Sequence, residues 1–269
     1  MRVAMGVEYD GSEFRGWQIQ QPGIRTVQDS LQRAVSKVAD HPVAITCAGR
    51  TDTGVHGIGQ VVHFDTNVHR SDRSWVLGCN SNLPPDIGIV WARPVSAHFH
   101  ARFSARARRY RYVILNRWSR SPLLRRRATW FRKPLDAERM AAAGTHLLGE
   151  HDFTSFRALA CQASHPVRTL YQLQVRRNKE FVSMDVEANA FLHHMVRNIA
   201  GVLMTIGSGE RPIEWIREVL DHRNRALGGV TAAAHGLYLT GVRYPDEFDV
   251  PRGESPVWPM SLPTSFTAA

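Results

Sequence analysis

The 269 residues carry 34 lysines and arginines against 24 acids, a net charge of +10, so a polyanion is the natural partner and nucleic acid the first to consider. A hydrophobic fraction of 43% supplies a core, no apolar run approaches the ~20 residues that cross a bilayer, and Met1-Arg2-Val3 leads into a strand pattern without a signal-peptide region. Three scattered cysteines, Cys47, Cys79 and Cys161, lack Cys-x-x-Cys spacing, which argues against a zinc knuckle or a disulfide framework; a cytoplasmic location is expected.

Val3, Met5, Val7 and Tyr9 alternate as in a strand that stops at Asp10-Gly11. Thr26 opens a helix, with Asp29 three residues on and Val27, Leu31, Ala34, Val35 and Val38 along one face. Strands over 43–47 and 60–64 flank a polar loop, a helical turn is expected near 74–78, and Ile87 to Val95 is a further strand. That order, β-α-β-β-α-β, is a ferredoxin-like unit. The second half repeats it. It has a strand over 106–115, a helix over 135–148, a hairpin of 167–177 with 181–188, a very apolar helix over 190–206, a short helix over 213–220 and a last strand over 237–242. The expected fold is therefore α+β, with subdomains over 1–104 and 105–245. From Pro245 onward five prolines and no apolar periodicity point to a disordered tail over 246–269.

The loop between the second and third expected strands, Ala48 to Gly59, concentrates the chemistry. Gly49, Gly54, Gly57 and Gly59 allow positive φ and close backbone approach, more than a solvated turn requires. Arg50 and Asp52 stand two apart, so an extended backbone would set the guanidinium beside the carboxylate. At ~4 Å and an effective dielectric near 20 that attraction is about 4 kcal/mol before desolvation, and it favours the charged carboxylate, a usable nucleophile.

Gly49-Arg50-Thr51-Asp52-Thr53-Gly54-Val55-His56-Gly57 followed by Gln60-Val61-Val62-His63-Phe64 closely resembles the active-site signature of the tRNA pseudouridine synthase A family. Three further blocks agree in order: Tyr9 to Gln18, Tyr110 to Ile114, and Ala190 to Ile199, so the resemblance spans about residues 2 to 245. The commonest family form has alanine where this chain has Thr53 and Gly57, a small-for-small change. The resemblance implies two α+β subdomains sharing one mixed, mainly antiparallel sheet around a central cleft. It also implies isomerisation of uridine to pseudouridine in the anticodon arm of tRNA, no cofactor or metal, and a homodimer. Asp52 would attack at C1′ or at C6, Tyr110 would be the active-site tyrosine, and Arg50 would orient Asp52 and help hold the flipped nucleotide's surroundings open. Tyr110 or a water would take the C5 proton.

Arg102, Arg106, Arg108, Arg109 and Arg111 crowd around Tyr110 and Tyr112, and strand alternation is read as placing cations and rings on opposite faces, with an exposed Tyr110 available to a base. Tyr112 is expected to pack. A second basic cluster over 117–127 could grip RNA or be plain solvated surface. Arg197, on the apolar helix, is placed near the site because a lone cation there must be paired or face a cleft. That helix, with 211–220, is taken as packing that supports a dimer interface. His193 and His194 read as helical neighbours diverging by about 100°, which excludes a shared metal. Asp152 reads as a turn residue. The rival to an enzyme is a non-catalytic RNA-binding module, against which Arg50, Asp52 and Tyr110 stand together; a glycosidase would want a second acid near Asp52.

Overall fold

A computed structural model describes residues 1–251, so the expected tail lies mostly outside the described residues. Its first residues are packed: Phe248 meets Phe99 edge-on at 5.3 Å and Asp249 pairs with Arg93 at 2.7 Å.

The chain runs β1 (Arg2–Tyr9), α1 (Val27–Ala39), β2 (Thr46–Cys47), β3 (His56–Asp65), α2 (Asp72–Asn80) and β4 (Ile87–Val95). It continues with β5 (Ala107–Asn116), β6 (Thr129–Phe131), α3 (Ala137–Thr145), β7 (Gly149–Asp152), β8 (Val167–Asn178), β9 (Phe181–Ala188), α4 (Met195–Gly207), α5 (Trp215–His222) and β10 (Leu237–Arg243). These strands join one sheet in the order β4-β1-β3-β10-β5-β9-β8-β7, with β2 on β3 and β6 on β5. Among the described residues only β3 with β10 and β5 with β6 run parallel. The order β4-β1-β3-β2 and the order β10-β5-β9-β8 are the same arrangement twice, so the fold is the α+β, mainly antiparallel sheet expected from the element pattern.

Local chemistry explains the element ends. Thr26 caps α1 by accepting the Asp29 N–H at 3.4 Å, and Val27, Leu31, Val35 and Ala39 turn their side chains into the first core with Met5, Phe64 and Trp75. Strand β2 is shorter than its alternation predicts because α1 takes its backbone groups: Ser36 Oγ accepts the Val43 N–H, Gln32 Oε1 accepts the Ile45 N–H, and Gln28 donates to the Ile45 carbonyl. The edge of β3 left free by this short strand is where β10 binds, pairing Tyr238 with His56 and Leu239 with Gly57. Thus β3 begins inside the glycine-rich segment that the sequence reads as loop. In the second core Tyr112, Ile114, Met140, Phe153, Phe156, Ile199 and Leu203 are fully buried. At ~1.5–3 kcal/mol for each large apolar side chain, this packing outweighs helix propensity in holding α4. Eleven of the thirteen α4 residues are buried in the chain's own core.

The join between β3 and β10 admits no side chain at Gly59, where a Cβ would lie 2.2 Å from the Thr240 carbonyl oxygen. Gly59→Ala is expected to lower unfolding stability by about 1–3 kcal/mol. Gly88→Ala, in β4 with nothing within 4 Å of the added methyl, is expected to change it by less than about 0.5 kcal/mol. Urea unfolding of both variants checks the contrast.

Candidate active site

The segment after β2 is held by the first sequence block. Tyr9 shares a buried 2.8 Å hydrogen bond with the Thr51 hydroxyl, the Trp17 N–H donates to the Thr51 carbonyl at 2.9 Å, and Gln60 Nε2 donates to the Gly49 carbonyl at 2.7 Å. Gly54 takes φ 79°, and the turn closes with the Val55 N–H on the Asp52 carbonyl. His56, buried and stacked on Tyr238 at 4.6 Å, accepts the Gly11 N–H at Nδ1 and donates from Nε2 to the Arg126 carbonyl, tying this segment to the basic stretch over 117–127. In that stretch Arg127 pairs with Asp10 at 2.6 Å, Arg126 with Glu13, and Arg117 with Glu180 at 3.1 Å. Most of this cluster is therefore tethered to the protein's own acids.

Asp52 emerges into a cleft of about 1260 Å³ between the two halves. Its carboxylate meets three groups from the other half: His193 Nε2 at 3.2 Å from Oδ1, His194 Nε2 at 3.4 Å from Oδ2, and Arg197 at 3.4 Å from Oδ2. Arg197 is oriented by a 2.8 Å hydrogen bond from its Nε to the Ala232 carbonyl. Arg50 is exposed and lines the same cleft, but its guanidinium is not paired with Asp52. The expected Arg50–Asp52 pair is thus replaced by a pair made across the two halves. An exposed arginine two residues away would have to be fixed against solvent and its own side-chain entropy, whereas Arg197 is already held.

Helical periodicity hides the two histidines as partners of Asp52, because it extends the helix too far back. Helix α4 begins at Met195; His194 sits before it at φ 63°, in the left-handed region, and Asn189 Oδ1 accepts the N–H groups of Thr169 and Ala190 in the turn that precedes it. That turn overrides the divergence of helical neighbours: the imidazoles lie 4.1 Å apart and converge, and with Asp52 their donor atoms all lie within 4.8 Å of one another. The helical divergence that would keep two adjacent histidines from one ion is therefore absent at His193 and His194. Burial holds the His194 pKa below its ordinary value, Asp52 pulls it up, and Arg197 and His193 press it down again.

Tyr110 is 8% exposed, packed edge-on against Phe191 at 5.0 Å, and lines the cleft as a buried wall and not as an open platform. Burial, then the charge of Asp52, push its hydroxyl pKa far up, so it stays a neutral hydrogen-bonding group. Tyr112 packs as expected, fully buried, with its hydroxyl on Thr129 and the Ala233 carbonyl. Along β5 the separation of cations from rings holds for Arg109 and Arg111 and fails for Arg108. Arg108 lines the cleft with Tyr110, while Arg109 and Arg111 are paired with Glu187 and Asp185 of β9. Arg108 is a clamp that charge clustering alone does not reveal: it donates to the carbonyls of Ala48 at 3.1 Å and Asn189 at 2.9 Å, joining the Asp52 segment to the turn that carries the histidines. Asp152 accepts the Thr154 N–H at 2.8 Å, the turn role expected of it.

The clamp makes Arg108→Met costly, by about 1.5–3 kcal/mol of unfolding free energy, because four carbonyls, those of Ala48, Arg102, Ala105 and Asn189, lose a charged donor. Arg50→Met is expected to stay within about 0.5 kcal/mol of the parent. Thermal unfolding of the two variants side by side checks this ranking.

The chain is similar to known proteins over most of its length. The tRNA pseudouridine synthase family profile matches residues 5–104 and 143–245. The tRNA pseudouridine synthase A of Nitrosococcus oceani is 58% identical over 96% of this chain and 99% of its own length. The protein of the same name from Pseudomonas aeruginosa is 58% identical over 93% of this chain and 88% of its own, and that of Alcanivorax borkumensis is 52% identical over 99% of both. With both halves matched, and with the matched segments carrying Asp52, His193, His194 and Arg197 into one cleft, the chain belongs to the tRNA pseudouridine synthase family.

Proposed function

We propose that this protein isomerises uridine to pseudouridine in the anticodon arm of tRNA, at positions of the 38–40 region, with Asp52 as the nucleophile. The observation that carries this reading is the convergence of Arg197, His193 and His194 on a single carboxylate in a deep cleft. Among the described residues the cleft is lined by six arginines, Arg15, Arg50, Arg102, Arg108, Arg168 and Arg197, and by no acid other than Asp52. Such a field draws in a phosphate backbone and leaves one electron-rich group at the centre.

The reaction is redox-neutral: the N1–C1′ bond breaks, a C5–C1′ bond forms, C5 loses a proton and N1 gains one. Asp52 supplies the electron pair that releases the base, and the carboxylate leaves again when C5 bonds to C1′. The uridine must leave its stack to enter the cleft, at a cost of a few kcal/mol. The aromatic walls offered by Tyr110 and Phe191 offset part of it. Arg197 holds the attacking carboxylate, and Arg50, exposed at the cleft, is the cation free to follow the displaced backbone. Tyr110, kept neutral, serves as a wall and a hydrogen-bonding group, so the C5 proton passes to water or to an imidazole at the cleft. No cofactor is invoked, because bond exchange between N1 and C5 needs neither electrons nor a carried group. We read residues 1–104 and 105–245 as two subdomains, supported by the repeated strand order, and the working unit as a cytoplasmic homodimer, supported by the length of a tRNA arm relative to one cleft.

Release of tritium from C5-labelled uridine in tRNA tests the reading. The parent protein is expected to release label in step with pseudouridine formation. Asp52→Asn is expected to lose at least about a thousandfold in rate, with tRNA affinity changed by less than about threefold. A parent protein that binds tRNA tightly and releases no label would instead mark a binding module.

A further inference from the structure

The turn before α4 has a second chemical consequence. Left-handed backbone is unfavourable at a residue with a β-carbon, yet His194 adopts φ 63° there and so turns its ring to the same side as that of His193. The result is two imidazole Nε2 atoms and one carboxylate facing a common point at the cleft, with donor atoms all within 4.8 Å of one another. We propose that Asp52, His193 and His194 form a binding site for a borderline divalent cation such as Zn²⁺, and that this ion and the tRNA nucleotide exclude each other.

Geometry and donor chemistry both fit. A tetrahedral zinc with bonds of about 2.0–2.1 Å holds its ligand atoms about 3.3–3.4 Å apart. His193 Nε2 stands 3.2 Å from Oδ1, close to such an edge, whereas the 3.4 Å contact of His194 Nε2 is to Oδ2, so an ion on the Oδ1 side requires the His194 ring to turn toward Oδ1 within a donor set that spans no more than 4.8 Å. Two imidazoles with one carboxylate suit zinc, cobalt(II) or nickel(II), whereas magnesium and calcium favour oxygen donors. Three protein ligands leave the fourth position to water, and His193, 41% exposed at its side chain, gives the ion an open path.

Two features limit the affinity. Arg197 stands 3.4 Å from Oδ2, fixed by its bond to the Ala232 carbonyl, so the ion takes the Oδ1 side and the guanidinium keeps the other oxygen at a cost in repulsion. Among the described residues no hydrogen bond holds the Nδ1 of either ring, a support that strong zinc sites have. Both features favour a weak, reversible site. Cys47 lines the same cleft, but burial pushes its thiol up to about 12 and keeps it protonated. The ion site stands on geometry alone; its exclusion of tRNA rests on the reading of Asp52 as the attacking group, because a metal-bound carboxylate oxygen cannot also attack.

Cobalt(II) titration of the chelator-treated full-length protein tests the site through ligand-field absorption, with zinc(II) displacement followed by calorimetry. A single ion per chain is expected, with a tetrahedral spectrum free of thiolate charge-transfer bands. His193→Asn, His194→Asn and Asp52→Asn should each weaken it by about tenfold or more, with far-ultraviolet dichroism unchanged, and Cys161→Ser should have no effect. Adding tRNA should displace the cobalt, and zinc should inhibit tritium release reversibly on chelation. Absence of a ligand-field spectrum, a thiolate band, or unchanged affinity in folded His193→Asn and His194→Asn proteins would overturn the site. Tight cobalt binding that leaves tritium release untouched would keep the site but overturn the exclusion, and with it the role given to Asp52.

Discussion

The structure depends on the short parallel contact between β3 and β10. Two residue pairs, Tyr238 with His56 and Leu239 with Gly57, join the two halves into one sheet, and they do so at the first residues of β3, directly after the turn that carries Asp52 and Gly54. Because β3 is rigid from His56 onward, the turn before it is set at the joint, where the other half can reach it. Gly59 lets the two backbones approach to a distance no side chain would permit. The short β2 belongs to the same design: α1 side chains occupy the backbone groups of residues 43–45, and the remaining edge of β3 is open to β10.

Across that joint the electrostatics are one-sided. A single carboxylate is met by Arg197 and two imidazoles, and arginines line the cleft around it. The basic residues nonetheless have different tasks. Arg109 and Arg111 neutralise Glu187 and Asp185 on β9, Arg126 and Arg127 are bound to Glu13 and Asp10, and Arg108 clamps backbone carbonyls from both halves. Total charge therefore overstates the surface available to RNA. Among the described residues, the cations that line the cleft without an acid of their own, Arg15, Arg50, Arg102 and Arg168, are the ones left to meet phosphates.

Much of the architecture was legible in the chain. The pattern of apolar residues located β1, β4, β8 and β9 to within a residue or so, with β4 burying alternate positions and β1 and β9 buried on both faces. The Thr26 cap and the apolar stripe of α1 were equally readable. The short strands β6 and β7 were not, since three or four residues carry no period and their pairing is decided by the neighbours β5 and β8. Asp52 was identifiable from its glycine-rich setting, and Arg197 from the cost of an unpaired cation on an apolar helix.

What tertiary structure alone decided was who meets whom. Sequence proximity paired Arg50 with Asp52, whereas the fold leaves Arg50 exposed and brings Arg197, 145 positions away, to the carboxylate. Periodicity extended α4 through His193 and His194, whereas the turn after Asn189 and the left-handed His194 stop it and make their rings converge. Charge clustering gave Arg108 a surface role, whereas it is a clamp within the cleft wall. The residues themselves set charge, burial pattern and the chemistry available. Contacts between segments far apart in the chain depend on which sheet edge is left open, and that follows only once α1 has claimed the backbone of β2 and β10 has filled the gap.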